Sequence, residues 1–498
     1  MHEDHDVLVV GAGFGGLGTA IRLVTAGRTD FAVLERADEI GGTWRDNAYP
    51  GAACDVPSHL YSFSFAPNPD WHRSFSPQSE IQRYLLDCTH RYRLDPYLRL
   101  GHELLDATWD ADARRWRVRT SRGSFTGRVL VVGAGQLSEP RLPNLPGLDR
   151  FAGAMFHSSR WDHARPLAGS RVAVIGTGAS AIQFVPRIAP EVGHLSVFQR
   201  TPPWIIPRAD RAITEAERFL YRRLPGARAA ARAGIWTGRE LLAVGMTLRP
   251  ALLAGMERVA RRHLARQVPD PALREALTPG YRIGCKRILL SNDYYPALLR
   301  PNVDLVTDRI AEVGPDWIAT ADGTRHAVDT IIFGTGFAAT KPPIAERITG
   351  TDGVTLAKSW ADGMSAYRGT AVAGYPNMFM LLGPNTGLGH SSMIYVIESQ
   401  LNYLMSALAK MDRHGIAAVD VDPGAQDAYN EAVQDRLVGT VWNVGGCASW
   451  YLDANGRNTT LWPSFTWRYR RITRDFDPRG YRLDPVSADA PGAGPAAP

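Results

Sequence analysis

Cysteine is scarce: the 498-residue chain has four, Cys54, Cys88, Cys285 and Cys447, and no two form a Cys-x-x-Cys pair. That spacing suggests neither a metal site nor a disulfide framework, so reduced thiols and a cytoplasmic setting are expected. Long apolar runs are also missing. The most apolar later stretch, from Glu240 to Met256, is interrupted by Arg249 and Pro250, so no transmembrane helix is expected. The first six residues are polar and acidic, unlike a signal peptide. Neither sign of charge dominates: 56 basic against 50 acidic residues leave a net +6. That small excess favours anionic ligands weakly. With no aromatic-basic motif or zinc-finger spacing beside it, it gives no reason to expect nucleic acid.

What is present is α/β patterning. The length calls for two or three domains. Val7 to Val10 is a short aliphatic run ending in glycines and reads as a buried parallel strand. A helix from Leu17 to Ala26 and a strand from Phe31 to Leu34 follow. The same order recurs later: strand Val172–Ile175, helix Ala181–Ile188, strand Leu195–Phe198. Two such units predict two doubly wound, Rossmann-like dinucleotide-binding domains. Strand-plus-glycine stretches at Val129–Gly135 and Thr330–Phe337 each run into prolines: Pro140, Pro143 and Pro146 after the first, Pro342 and Pro343 after the second. These read as linkers out of and back into the first domain. An Arg-, Ala- and Leu-rich stretch from about 213 to 277 reads as a helical insertion in the second domain, its basic face solvated.

Gly11, Gly13 and Gly16 form G-x-G-x-x-G directly after the first strand. The glycines allow a tight turn, close approach of a pyrophosphate and close helix–strand packing, and the helix N-terminus offers free N–H groups. Glu35 lies 24 positions after Gly11, at the end of the second strand, where a carboxylate accepts hydrogen bonds from ribose hydroxyls. Gly176-Thr177-Gly178-Ala179-Ser180-Ala181 repeats the pattern as G-x-G-x-x-A, but the same spacing lands on Arg200, followed by Thr201. A guanidinium there can clamp a 2′-phosphate that a carboxylate would repel. The charge reversal gives one site a ribose without a 2′-phosphate and the other NADPH; FAD is expected at the first turn. The expected boundaries are 1–145 for the first part of an FAD-binding domain, 146–340 for the NADPH-binding domain and 341–485 for the second FAD-binding part. A disordered tail is expected at 486–498.

Two longer motifs narrow the reading. Phe151 to Asp162 matches F-x-G-x-x-x-H-x-x-x-W-[P/D] through Phe151, Gly153, His157, Trp161 and Asp162. Gly41-Gly42-Thr43-Trp44, Tyr49-Pro50-Gly51 and Asp55 match G-G-x-W…Y-P-G-x-x-x-D. The chain thereby resembles the type I Baeyer–Villiger monooxygenases over nearly its whole length. The resemblance implies that NADPH reduces the flavin, the reduced flavin takes up O2, and one oxygen atom enters beside a ketone carbonyl to give an ester or lactone. Arg287 then corresponds to an essential arginine that stabilises negative charge, and Asp55 to the carboxylate paired with it. Lys286 joins Arg200 at the 2′-phosphate, and Gln136 lies near the flavin and nicotinamide. The implied cofactor-contacting set also takes in Phe14, Gly15, Thr43, Trp44, Tyr61 and Met393. His157 and Trp161 are assigned to domain positioning. Trp450, Trp462 and Trp467 are left without a role.

Sequence spacing alone does not show that Arg287 and Asp55 meet; without the resemblance they read as two unrelated surface charges or an ordinary salt bridge. The nearest alternative is a flavin monooxygenase acting on nitrogen or sulfur, against which Trp161-Asp162 speaks. A flavin disulfide reductase would need a redox cysteine pair. A non-catalytic redox sensor on the same scaffold is a third reading.

Overall fold

The computed structural model describes residues 2–485, so the tail expected to be disordered lies outside the described residues. An eight-stranded sheet forms around His2–Val10. This strand pairs in parallel with Phe31–Glu35 on one side and Ser124–Val132 on the other. Beyond Phe31–Glu35 lies Leu98–Leu100. Ser124–Val132 splits its far edge between two partners. Its first half pairs antiparallel with Arg115–Thr120, and its second half takes Met378–Met380, which returns from late in the chain. Leu104–Asp110 and Ile348–Thr349 complete that flank. Val7 to Val10 are buried on both faces, as a strand covered by helices requires.

A second sheet has five strands, all parallel: Val303–Val306, His194–Phe198, Arg171–Ile175, Thr330–Phe333 and Ala154–His157, in that order. In both sheets the strand before the glycine turn sits where the chain order reverses, so its C-terminal end opens on a crevice. The two connections between the sheets lie side by side. Pro140 bridges Phe337 antiparallel, Arg141 donates its amide to the Gly336 carbonyl at 2.9 Å, and Ala338 donates to the Glu139 carbonyl at 3.0 Å.

The insertion is helical, through Glu215–Arg223, Pro225–Ala243, Ala254–Gln267 and Pro271–Ala276. Thr214 and Glu217 start the first of these with a reciprocal capping box. Its basic face is not simply solvated. Arg232 donates to the His59 and Ser62 carbonyls, both at 2.8 Å, and Arg239 to the Asp55 carbonyl at 3.4 Å. These arginines pack inward and supply donors to loop carbonyls of the first unit.

The expectation of four reduced thiols is overturned: Cys285 and Cys447 form a disulfide. Their separation of 162 residues gave no spacing signal. They meet because Arg282 donates its amide to the Gly445 carbonyl at 2.9 Å, docking the Arg282–Cys285 turn on the loop after Val441–Val444. Cys54 and Cys88 are free and buried. No helix among the described residues is long and apolar enough to cross a membrane.

Candidate active site

The first glycine turn has the shape its sequence calls for. A Cβ on Gly16 would sit 1.7 Å from the Gly11 carbonyl oxygen, so only glycine lets helix Phe14–Thr25 pack against the strand. A Cβ on Gly13 would meet nothing of the protein closer than 3.6 Å, leaving that face free for a phosphate. Gly178 in the second turn is equally open, with its nearest neighbour at 3.9 Å.

Glu35 is buried at the end of its strand. Its carboxylate accepts from the Ala12 amide at 2.7 Å, the Ala37 amide at 3.1 Å and Arg45 Nη1 at 2.9 Å. A carboxylate has about four acceptor positions, so one remains for a ribose hydroxyl. Arg45 went unnoticed in the sequence; it compensates a buried charge that would otherwise be costly. Trp44 donates from Nε1 to the Tyr61 hydroxyl at 3.1 Å, and Tyr61 meets Phe14 edge-on at 5.4 Å, so three expected residues form one aromatic wall. Gly15 faces Leu381, and Thr43 opens the short helix beside Trp44. Met393 stands in the first turn of helix Met393–Arg413, whose cap is Ser392. Gln136 donates to the Leu382 carbonyl at 2.8 Å, which holds the first linker against the loop after Met378–Met380.

At the second turn Thr177 donates to the Thr201 carbonyl at 3.4 Å, tying the residue after Arg200 to the glycine loop. Ala179 and Ser180 lead into helix Ala181–Ile188, which begins at Ala181. Arg200 is exposed, and Lys286 lies half-buried with its ammonium 5.1 Å from the Tyr281 ring centre. Burial, and then the neighbouring Arg200, lower the Lys286 ammonium below its ordinary value. Among the described residues neither cation has a carboxylate partner. Two close positive charges without an acid between them suit an anion.

Asp55 and Arg287, 232 residues apart, do meet. Arg287 donates from Nε to Oδ2 at 2.5 Å and from Nη2 to Oδ1 at 2.6 Å, a two-pronged contact of half-buried groups. Its remaining amino group, Nη1, donates to the Leu388 carbonyl at 3.4 Å. Burial pushes the Asp55 carboxyl up, but the Arg287 charge and its hydrogen bonds hold it below the usual range. Asp55 in turn drives the guanidinium up, so the pair stays ionised.

The pair sits where the two units touch. Tyr49 donates its hydroxyl to Gln183 Oε1 at 2.9 Å, and Gln183 donates back to the Ala53 carbonyl at 2.9 Å. A Cβ on Gly51 would lie 2.7 Å from the Gln183 carbonyl. The Tyr49-Pro50-Gly51 segment is thus a dock for helix Ala181–Ile188, and it carries Asp55 to the crevice. Gln183 was not singled out from sequence, since nothing local marks it.

The longer motif is structural at most of its positions. Phe151 is buried beneath the five-stranded sheet with Ile331 and Phe333. A Cβ on Gly153 would strike the Asp329 carbonyl at 2.3 Å. Trp161 packs on Phe156 and Phe184, and exposed Asp162 accepts from the Ala164 amide. His157 is buried, accepts at Nδ1 from the Ser159 amide at 3.2 Å, and meets Phe337 of the second linker edge-on at 5.4 Å. Burial lowers its imidazole to about 4, so it is neutral at neutral pH. Of the uncommitted tryptophans, Trp462 is core, while Trp450 and Trp467 are each 41% exposed.

Comparisons with known proteins agree with this geometry. Residues 4–225 match the family of flavin-binding monooxygenase-like proteins. A Baeyer–Villiger monooxygenase of Streptomyces coelicolor is 54% identical over 484 residues, covering 97% of this chain and 93% of that protein. Cyclohexanone monooxygenase from a Rhodococcus species, solved with NADP+, superimposes with a TM-score of 0.86 at 29% identity, covering 97% of this chain and all of that one. The structure of OTEMO in complex with FAD and NADP gives 0.85 at 26% identity, covering 96% and 99%. The chain belongs to the Baeyer–Villiger monooxygenases of the flavin-binding monooxygenase-like family.

Proposed function

We propose that residues 1–145 and 341–485 hold FAD, that 146–340 hold NADPH, and that a ketone is oxygenated to an ester or lactone where they meet. The observation that carries this reading is the Asp55–Arg287 pair at the junction of the two glycine-turn units. When bound, the flavin and nicotinamide supply electrons and activate O2. The protein's part is placement and charge. Gly13 leaves room for the FAD pyrophosphate, Glu35 takes the ribose, and Trp44 with Tyr61 walls the pocket. Gly178 accommodates the second pyrophosphate, while Arg200 and Lys286 clamp the 2′-phosphate. Arg287 supplies N–H groups and a permanent positive charge where negative charge develops on oxygen. Asp55 fixes the plane of that guanidinium and keeps it from swinging into solvent. The cytoplasm, where NADPH is regenerated, is the compartment that suits this chemistry.

The substrate is a ketone; its structure is set by pocket loops that carry no recognisable signature. The test is product identification with 18O2 across cyclic, linear and aryl ketones. The expected product gains one labelled oxygen between the carbonyl carbon and its neighbour. Exclusive N- or S-oxide formation on substrates offering both groups would instead establish the heteroatom-oxygenating alternative.

A further inference from the structure

The helical insertion reaches the Asp55–Arg287 pair through two adjacent residues. Arg239 donates to the Asp55 carbonyl at 3.4 Å. Glu240, next in helix Pro225–Ala243, is buried. Its carboxylate accepts from the Thr466 hydroxyl at 2.6 Å and the Thr466 amide at 3.0 Å. Trp236, one turn earlier, donates its indole N–H to the same hydroxyl at 2.9 Å. The carboxylate is therefore held from behind, and its Oε1 lies 3.5 Å from Nε2 of His390. The imidazole is wholly enclosed, and neither ring nitrogen makes a hydrogen bond among the described residues, so the Glu240 carboxylate is a neighbour at ion-pair distance only.

A buried carboxylate needs a compensating donor, and a buried imidazole needs partners for its nitrogens. Among the described residues, His390 is the one basic side chain within ion-pair distance of Glu240. Glu240 meets the imidazole's need at Nε2, while Nδ1 has no partner among the described residues. His390 also lies two residues past Leu388, the carbonyl that accepts from Arg287 Nη1. Between them a Cβ on Gly389 would lie 3.1 Å from the Trp442 ring and 3.4 Å from the sulfur of Met246 in the insertion, so this turn is closely packed between the two.

We propose that Glu240 and His390 are positioning residues for Arg287. An Nε2 proton directed at Glu240 ties the Leu388–His390 turn to the insertion. The Leu388 carbonyl then holds the one amino group of Arg287 that Asp55 leaves free. One helical turn thus sets both sides of the pair, Arg239 from the Asp55 side and Glu240 through His390 from the Leu388 side. The inference rests on Arg287 acting in the oxygenation as proposed above.

The test compares His390→Leu with His390→Gln, whose amide nitrogen can stand near the Nε2 position. FAD content, anaerobic flavin reduction by NADPH, and ester formed per NADPH consumed are measured on the holoenzyme. In His390→Leu, FAD content should hold and flavin reduction stay within about twofold, while ester per NADPH falls roughly fivefold or more; His390→Gln should recover at least about half of it. Thermal melting of Glu240→Gln, His390→Leu and the double variant adds a measurement independent of turnover, and the two shifts should be non-additive. Unchanged coupling in His390→Leu, an equal loss in flavin reduction, or additive melting shifts would each overturn the pairing alone if the parent enzyme makes ester. A parent enzyme that makes no ester from any ketone would overturn the proposed function as well.

Discussion

Replacing Arg200 by alanine removes one of the two cations at the end of His194–Phe198. A charge-assisted hydrogen bond to phosphate contributes about 1.5–3 kcal/mol. Arg200 is exposed, so solvent screening brings its share down to about 1–2 kcal/mol. That is roughly a 5- to 30-fold loss in kcat/KM for NADPH. Removing Arg200 also relieves the like charge that, after burial, lowers the Lys286 ammonium. NADH carries no 2′-phosphate, so its kcat/KM should change by less than about twofold. The assay is steady-state turnover with each nicotinamide at saturating ketone, at low and high ionic strength. The gap between parent and variant should narrow with salt, since the Debye length shrinks to about 3 Å at 1 M. Equal losses with both nicotinamides, or a gap indifferent to salt, would refute the phosphate clamp.

Other consequences can be checked separately. Arg287→Ala should retain FAD and NADPH oxidation while ester formation falls by about 10²–10³, the usual loss for one oxyanion-stabilising donor; near-normal ester yield by mass spectrometry would remove Arg287 from the chemistry. Gly16→Ala and Gly13→Ala should differ in kind. The first should yield little folded protein, because its Cβ meets the Gly11 carbonyl at 1.7 Å; the second should fold but lose bound flavin colour, because its Cβ fills only the open face of the turn. For His157, the imidazole falls from 6.5 to about 4 on folding. The unfolded chain therefore binds the extra proton between those values, so stability is full above about pH 6.5 and declines toward pH 4, by up to about 3 kcal/mol. Melting temperatures across that range should drop less in His157→Gln than in the parent; parallel curves would show that the ring does not titrate as described.

Both glycine turns, their flanking strands and the opposite charges of Glu35 and Arg200 were legible because each lies within a few tens of residues and obeys a local period. The meeting of Asp55 with Arg287 was legible only through family resemblance, since its 232-residue separation leaves no spacing rule to apply. The Cys285–Cys447 bond was misread for the same reason. Arg45, Gln183, Glu240 and His390 escaped notice because their significance lies in partners from distant segments: a strand-end carboxylate, a docking loop, a turn beneath the guanidinium. The insertion was recognised as helical from composition, but composition could not show that Arg232 and Arg239 face inward onto carbonyls of the first unit.

The side-by-side passage of the two linkers has a mechanical meaning. Chain crosses from the eight-stranded unit to the five-stranded one and back at a single place, where Pro140 and Phe337 are laced together by backbone hydrogen bonds. Two separate tethers would restrict a swivel to the line joining them; two strands zipped into one ribbon leave a single pivot. Any turning of the five-stranded unit must flex both crossings at once, and His157, its ring against Phe337, sits at that pivot.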